Sequence, residues 1–190
     1  MDNFQSSELI LNEDLSVYHL KLLPEDIAST IIIVGDQYRV PHISKYFDGI
    51  EVIKSNREFT THTGFIGKKR ISVISTGIGV DNIDIVFNEL NILGSIDLNT
   101  RTLKKKKKKL NIIRLGTTGT ISNQVQLDDI LYSKYAIGID GIPYHYKFQD
   151  DLFENKLSDK FSSSTNWHKN LAKPYSVKCS DYLWGKLFDK

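Results

Sequence analysis

The chain has 190 residues, 40% of them hydrophobic, one cysteine and a formal net charge of +2. That is enough for one globular domain with a real core. The lone Cys179 excludes an internal disulfide, and no run approaches the ~20 apolar residues that span a bilayer, so the expectation is a cytoplasmic protein with no membrane partner. The charge balance is local. Six lysines form one block, Lys104 to Lys109; 25 basic residues less these six leaves 19 against 23 acidic ones. The block reads as a self-repelling solvated loop rather than a nucleic-acid groove, because no aromatic residues interleave it.

In chain order, residues 1 to 16 read as loosely ordered. A strand from Ile31 to Val34 precedes a helix from about Tyr38 to Phe47, with Pro41 in its first turn. Ile50 to Ile53, Phe59 to Ile66 and Arg70 to Ser75 read as successive strands, the last two joined by a tight turn at Gly67-Lys68. From Asp81 to Leu93 the apolar residues Ile83, Val86, Phe87, Leu90 and Leu93 recur at helical spacing, with Asp81 or Asn82 as the cap. Strands follow at 112–115, 129–133 and near 135–139. The stretch from Lys147 to Ser164 reads as polar loop, and a last helix runs from Tyr182 to Phe188. Strands alternating with helices, with hairpins between some of them, predict an α/β chain built on a mixed twisted sheet flanked by helices, here as a single domain over 1–190.

Three glycine-bearing segments end β-branched runs: Val34-Gly35-Asp36-Gln37-Tyr38-Arg39, Ser75-Thr76-Gly77-Ile78-Gly79 and Arg114-Leu115-Gly116-Thr117-Thr118-Gly119. Strands that stop at glycine let another molecule approach the backbone, and two of these segments also carry an arginine. That combination suits an oxyanion, phosphate above all. A dinucleotide fingerprint would need a third glycine at position 82, which is Asn82. The Gly-Lys-Ser/Thr of a P-loop, the His spacings of a zinc site and a Gly-x-Ser-x-Gly elbow are also lacking.

The order VGDxxRV, SNREFTTHTG, STGIG followed by a helix, then RLGTTG, resembles the nucleoside phosphorylases, specifically their uridine phosphorylase branch, over residues 17 to about 142. The resemblance implies a pentosyltransferase of pyrimidine salvage. Phosphate attacks the anomeric carbon of a nucleoside, uridine by preference, and leaves ribose 1-phosphate and free base. It implies no cofactor besides phosphate as co-substrate, no metal, and a homodimer or higher homo-oligomer.

On this resemblance Arg39 and Arg114 are the catalytic cations, and Gly35, Arg39, Arg57, Arg114 and Thr117 bind phosphate. His19 and Thr117 bind ribose, with His19 and Arg57 lent across a subunit interface, and Thr118 and Gly119 line the base pocket. The ordinary alternative for Arg39 is a surface ion pair worth under ~1 kcal/mol. Arg114, where a strand reaches glycine, is expected to need a partner because a buried unpaired ion is costly. Glu58, Ile78 and Asn82 match positions that hold a monovalent cation in some relatives, but Asn82 replaces a hydroxyl residue there. Asp36 is expected to orient its loop.

Gln37 stands where the family usually has proline, and Val80 where a second glycine is common. The family fold also continues beyond Lys190, with a Gln-x-Arg segment for uracil and a Met-Glu segment for ribose, so this chain is expected to be C-terminally incomplete and impaired. A catalytically inactive fragment or phosphate- or nucleoside-binding module, and a nucleoside hydrolase of the same superfamily, remain as alternative functions.

Overall fold

The computed structural model describes residues 3–147 and 150–188. The chain divides into two units, Met1–Thr118 and Gly119–Lys190. The first is organised by β1 (Thr30–Val34), whose β-branched residues alternate between two apolar layers. Ile31 and Ile33 face a core shared with Leu9, Val17, Leu20, Phe59, Ile74 and Leu90. Ile32 and Val34 face a smaller one with Val40, Ile43, Phe47 and Val73.

β1 is paired in parallel with β4 (Lys69–Ser75) on one side and β7 (Asn111–Arg114) on the other. β4 is antiparallel to β3 (Phe59–Ile66), and β3 to β2 (Gly49–Asn56), giving the order β2-β3-β4-β1-β7. Helix α1 (Arg39–Ser44) carries Val40 into the smaller core, and α2 (Val80–Ser95) carries Val86, Leu90 and Leu93 into the larger one. The sheet is therefore mixed and flanked by helices, as the alternation of elements predicts. A short pair, β5 (Ile96–Asp97) and β6 (Thr102–Leu103), precedes the lysine block.

Several local expectations are corrected. Residues 4–17 are docked: Leu9 and Val17 are buried, and the Arg101 guanidinium donates to the carbonyls of Phe4, Gln5 and Leu9. Helix α1 ends at Ser44 rather than Phe47. Helix α2 buries Val86, Leu90 and Leu93 as expected, but Phe87 is exposed and Glu89 is buried beside that face. Its N-cap is Gly79, and neither Asp81 nor Asn82 caps it. The lysine block is only partly solvated, because Lys104 and Lys108 donate to the carbonyls of Leu93 and Ile27. Burial and the neighbouring positive charges of Arg70 and Lys104 hold the Lys108 ammonium below its ordinary pKa.

In the second unit β8 (Tyr135–Gly138) pairs antiparallel with β9 (Tyr175–Lys178), against which α3 (Asn155–Ser164) packs; α4 (Asp181–Phe188) follows. Helix α3 replaces most of the loop expected at 147–164, whose residues 148–149 lie outside the described ones. Its packing is polar as well as apolar, since the buried Ser158 and Ser176 hydroxyls bond at 2.7 Å. Residues 129–133 form no strand, and Ile130 there is 77% exposed. A short apolar run such as Ile130-Leu131-Tyr132 becomes a strand only when a partner ladder accepts it. Among the described residues no helix is long and apolar enough to cross a membrane.

Candidate functional site

Because β1, β4 and β7 run parallel, their C-terminal ends share one edge of the sheet, with Val34 beside Ser75 and Ile33 beside Arg114. Backbone bonds continue one step past the strands: Thr76 N–H donates to the Val34 carbonyl at 2.8 Å, and Leu115 N–H to the Ile33 carbonyl at 2.9 Å. The glycine segments are thereby drawn together. A Cβ added to Gly35 would lie 3.1 Å from Ile78 Cγ2, 3.6 Å from the Gly77 carbonyl oxygen and 3.8 Å from Arg114 Nη2.

The loop after Gly35 turns at once into α1. Asp36 Oδ1 accepts from the Tyr38 N–H at 2.9 Å, and the Asp36 carbonyl accepts from the Arg39 N–H at 3.1 Å. Asp36 thus orients the loop, as its position suggested. From the first residue of α1, Arg39 Nη2 reaches Thr117 Oγ1 at 3.4 Å. Arg39 meets Thr117, which follows Arg114 by three positions, and Arg114 meets Gly35, four before Arg39. Those four residues make one cluster at the strand ends.

Arg114 is exposed rather than buried, so desolvation does not force it to find a partner. Among the described residues neither Arg39 nor Arg114 takes part in an ion pair. Two guanidinium groups thus bring positive charge to the same strand ends, and neither is engaged in such a pair, an arrangement suited to an oxyanion. Thr118 follows Thr117 on exposed chain, and Gly119 opens the second unit.

Arg57 and His19 lie elsewhere on this edge. Arg57 occupies the β2–β3 turn with a φ of 55°, two strand spacings from β1, roughly 10 Å. Asn56 in the same turn donates its amide to the His19 carbonyl at 2.7 Å, so His19 and Arg57 are held as neighbours. Asn56 links His19 to the turn of Arg57, and Glu58 of the same turn bonds the Asn82 amide beside Gly77.

Two residues that the sequence reading did not single out organise this part. Glu89 accepts from the His19 N–H at 2.7 Å, from the Leu20 N–H at 2.8 Å and meets His19 Nδ1 at 2.8 Å. Asn56 is the other. A signal for Glu89 existed: it stands three residues after Val86 and four before Leu93, on the apolar stripe of α2, where a carboxylate must be satisfied by donors.

Glu58 Oε1 accepts from Asn82 Nδ2 at 2.7 Å, tying the β2–β3 turn to the start of α2. Gly77, at φ 69°, makes room for that amide; a Cβ there would lie 2.4 Å from Asn82 Nδ2. Among the described residues no group of three His, Cys, Asp or Glu side chains is placed to hold a metal ion.

The second unit contains a cavity of about 350 Å³ lined by Tyr144, Tyr146, Phe153, Asn155, Lys173 and Tyr175, among others. Its Tyr175 hydroxyl bonds both Asp140 oxygens at 3.0 and 3.1 Å. Burial first, then that carboxylate, pushes the phenol up to about 12. No residue expected at the site lies there.

Residues 29–181 match the family model of the phosphorylase superfamily. The uridine phosphorylase of Thermococcus kodakarensis is 32% identical over 146 residues, 77% of this chain and 48% of the relative. That of Haemophilus influenzae is 35% identical over 132 residues, 68% of this chain and 47% of the relative. The crystal structure of the Trypanosoma brucei nucleoside phosphorylase, which shows uridine phosphorylase activity, superposes with a TM-score of 0.76 at 28% identity. It covers 91% of this chain and 58% of that one. The chain spans about half the length of the curated relatives it matches. Its fold, its ordered glycine segments and these likenesses agree: the chain belongs to the phosphorylase superfamily, on its uridine phosphorylase branch.

Proposed function

We propose that this chain forms the phosphate-binding half of a nucleoside phosphorylase, a pentosyltransferase that converts a nucleoside, uridine first, into free base and ribose 1-phosphate. The observation that carries this reading is the cluster of Gly35, Arg39, Arg114 and Thr117 at the ends of β1 and β7. Arg39 and Arg114 would grip phosphate with planar, bidentate forks, and Thr117 would add a hydroxyl shared between phosphate and ribose. Phosphate held beneath the sugar stabilises the positive charge that develops at the anomeric carbon and then attacks it. Positioning is the main contribution, since the arginines must hold the nucleophile without quenching it. Phosphate is a co-substrate here, and no cofactor is required.

His19 and Arg57, linked through the Asn56 amide, fit a role on a neighbouring copy, His19 at ribose and Arg57 at phosphate. This makes the working unit a homo-oligomer, with Thr118 and Gly119 leading to the base. The chain would serve as the N-terminal part of one phosphorylase-like domain acting in cytoplasmic pyrimidine salvage. Binding without turnover is the second reading: the four-residue cluster accounts for phosphate but not for the base.

The test is calorimetric titration of inorganic phosphate into the chain and its Arg39→Ala and Arg114→Ala variants, beside release of uracil from uridine. Each variant should weaken phosphate binding tenfold or more, since a charge-assisted bond contributes about 1.5–3 kcal/mol. Uracil release that requires phosphate supports the enzyme. Phosphate binding without release supports the binding module, and release in phosphate-free buffer supports a hydrolase. Equal phosphate affinity in all three proteins would overturn the cradle.

A further inference from the structure

We infer that Glu89 is a positioning residue: its carboxylate locks the His19 imidazole as the Nδ1–H tautomer and leaves Nε2 as the nitrogen offered to a ligand. The inference rests on the proposed ligand-contacting role of His19.

Glu89 is 6% exposed, on the stripe of α2 that also carries Val86, Leu90 and Leu93. Its oxygens are already engaged by backbone donors. Oε1 accepts the His19 N–H at 2.7 Å, and Oε2 accepts the Leu20 N–H at 2.8 Å. An ionised carboxylate has only acceptors, so the 2.8 Å contact between Oε1 and His19 Nδ1 requires the proton to sit on Nδ1. Two further contacts fix the ring and its backbone: the Tyr18 ring meets the imidazole edge-on at 4.9 Å, and the Asn56 amide holds the His19 carbonyl at 2.7 Å. The His19 side chain nevertheless keeps 28% of its surface exposed.

With Nδ1 donating, the neutral ring has one remaining polar site, an acceptor at Nε2. Such a site takes a hydrogen-bond donor, so the ligand group it selects is one that gives up a hydrogen, as a hydroxyl turned toward it does. An ether oxygen or a bare methylene at that place would leave Nε2 unanswered. A contact from α2 to a residue 70 positions earlier thus decides which chemistry the His19 ring can recognise.

The experiment is long-range ¹H–¹⁵N correlation of the histidine rings in the ¹⁵N-histidine-labelled chain without ligand, at about pH 8.5, where imidazole is ordinarily neutral. The His19 signals are identified by their loss in His19→Asn. The expected wild-type pattern is protonated Nδ1 and bare Nε2. In Glu89→Gln, where one amide oxygen must serve three donors, the Nδ1–H population should fall and the Nε2–H form appear. A wild-type ring protonated at Nε2, or an unchanged pattern in folded Glu89→Gln, overturns the inference. If Glu89→Gln does not fold, the wild-type spectrum decides alone. No phosphate is present, so this result is independent of whether the arginine cradle binds.

Discussion

Asn56, in the turn that presents Arg57, bonds the backbone carbonyl of His19 at 2.7 Å. One amide therefore couples the N-terminal segment to the β2–β3 hairpin, and the two residues assigned to a neighbouring copy are positioned together. Asn56→Ala leaves that carbonyl without its donor. The expected loss is about 1–3 kcal/mol, read from the urea midpoint.

Thr117 separates function from stability. Its hydroxyl meets Arg39 at 3.4 Å on exposed chain, so Thr117→Val should alter unfolding by less than about 0.5 kcal/mol. Phosphate binding should fall by roughly threefold to tenfold, the scale of one neutral hydrogen bond. Unchanged calorimetric affinity would remove Thr117 from the cradle.

Two glycines with positive φ should respond differently to alanine. Gly67, at φ 56°, has open space around its missing Cβ, so Gly67→Ala costs only left-handed strain, about 1 kcal/mol. Gly77, at φ 69°, would also drive its Cβ into the Asn82 amide. Gly77→Ala should therefore cost more, about 2–4 kcal/mol in the same denaturation measurement, and should break the Asn82–Glu58 bond.

Tyr175 predicts a dependence on alkaline pH. Burial and Asp140 raise its phenol from 10.0 to about 12, so the folded chain keeps a proton that the unfolded chain gives up. The stability this provides is complete below pH 10 and is lost as pH rises through about 12. Tyr175→Phe lacks this titration, and its stability should fall less steeply across the same window. Parallel urea midpoints for the two proteins would contradict the assignment.

The candidate site was legible where it depended on local chemistry. Gly35, Arg39, Arg114 and Thr117 could be named because β-branched runs ending at glycine mark strand ends, and the arginines sit in the same short segments. Asp36 was legible for the same reason, as an Asx residue opening a turn. Glu89 was not, because a stripe read from apolar residues alone admits Phe87 and passes over a carboxylate. The Phe87 ring is exposed and Glu89 is buried, a choice made by the three N–H donors of the N-terminal segment. Residues 129–133 failed in the opposite sense: their pattern suits a strand, but pattern does not supply a neighbour.

Adjacent residues alone specify the strand and helix alternation, the glycine stops and the arginine-bearing turns, since each follows from the backbone preferences of a few neighbours in the chain. The folded arrangement settles the rest: that Gly35, Arg39, Arg114 and Thr117 meet, that Asn56 ties the His19 segment to the turn of Arg57, and that residues 4–17 are docked rather than loose. Those outcomes rest on single hydrogen bonds and close approaches between residues as many as 97 positions apart, as in Arg101 with the Phe4 carbonyl. Contacts of that kind have no period along the chain. They exist only once the parallel strands have brought their ends to one edge.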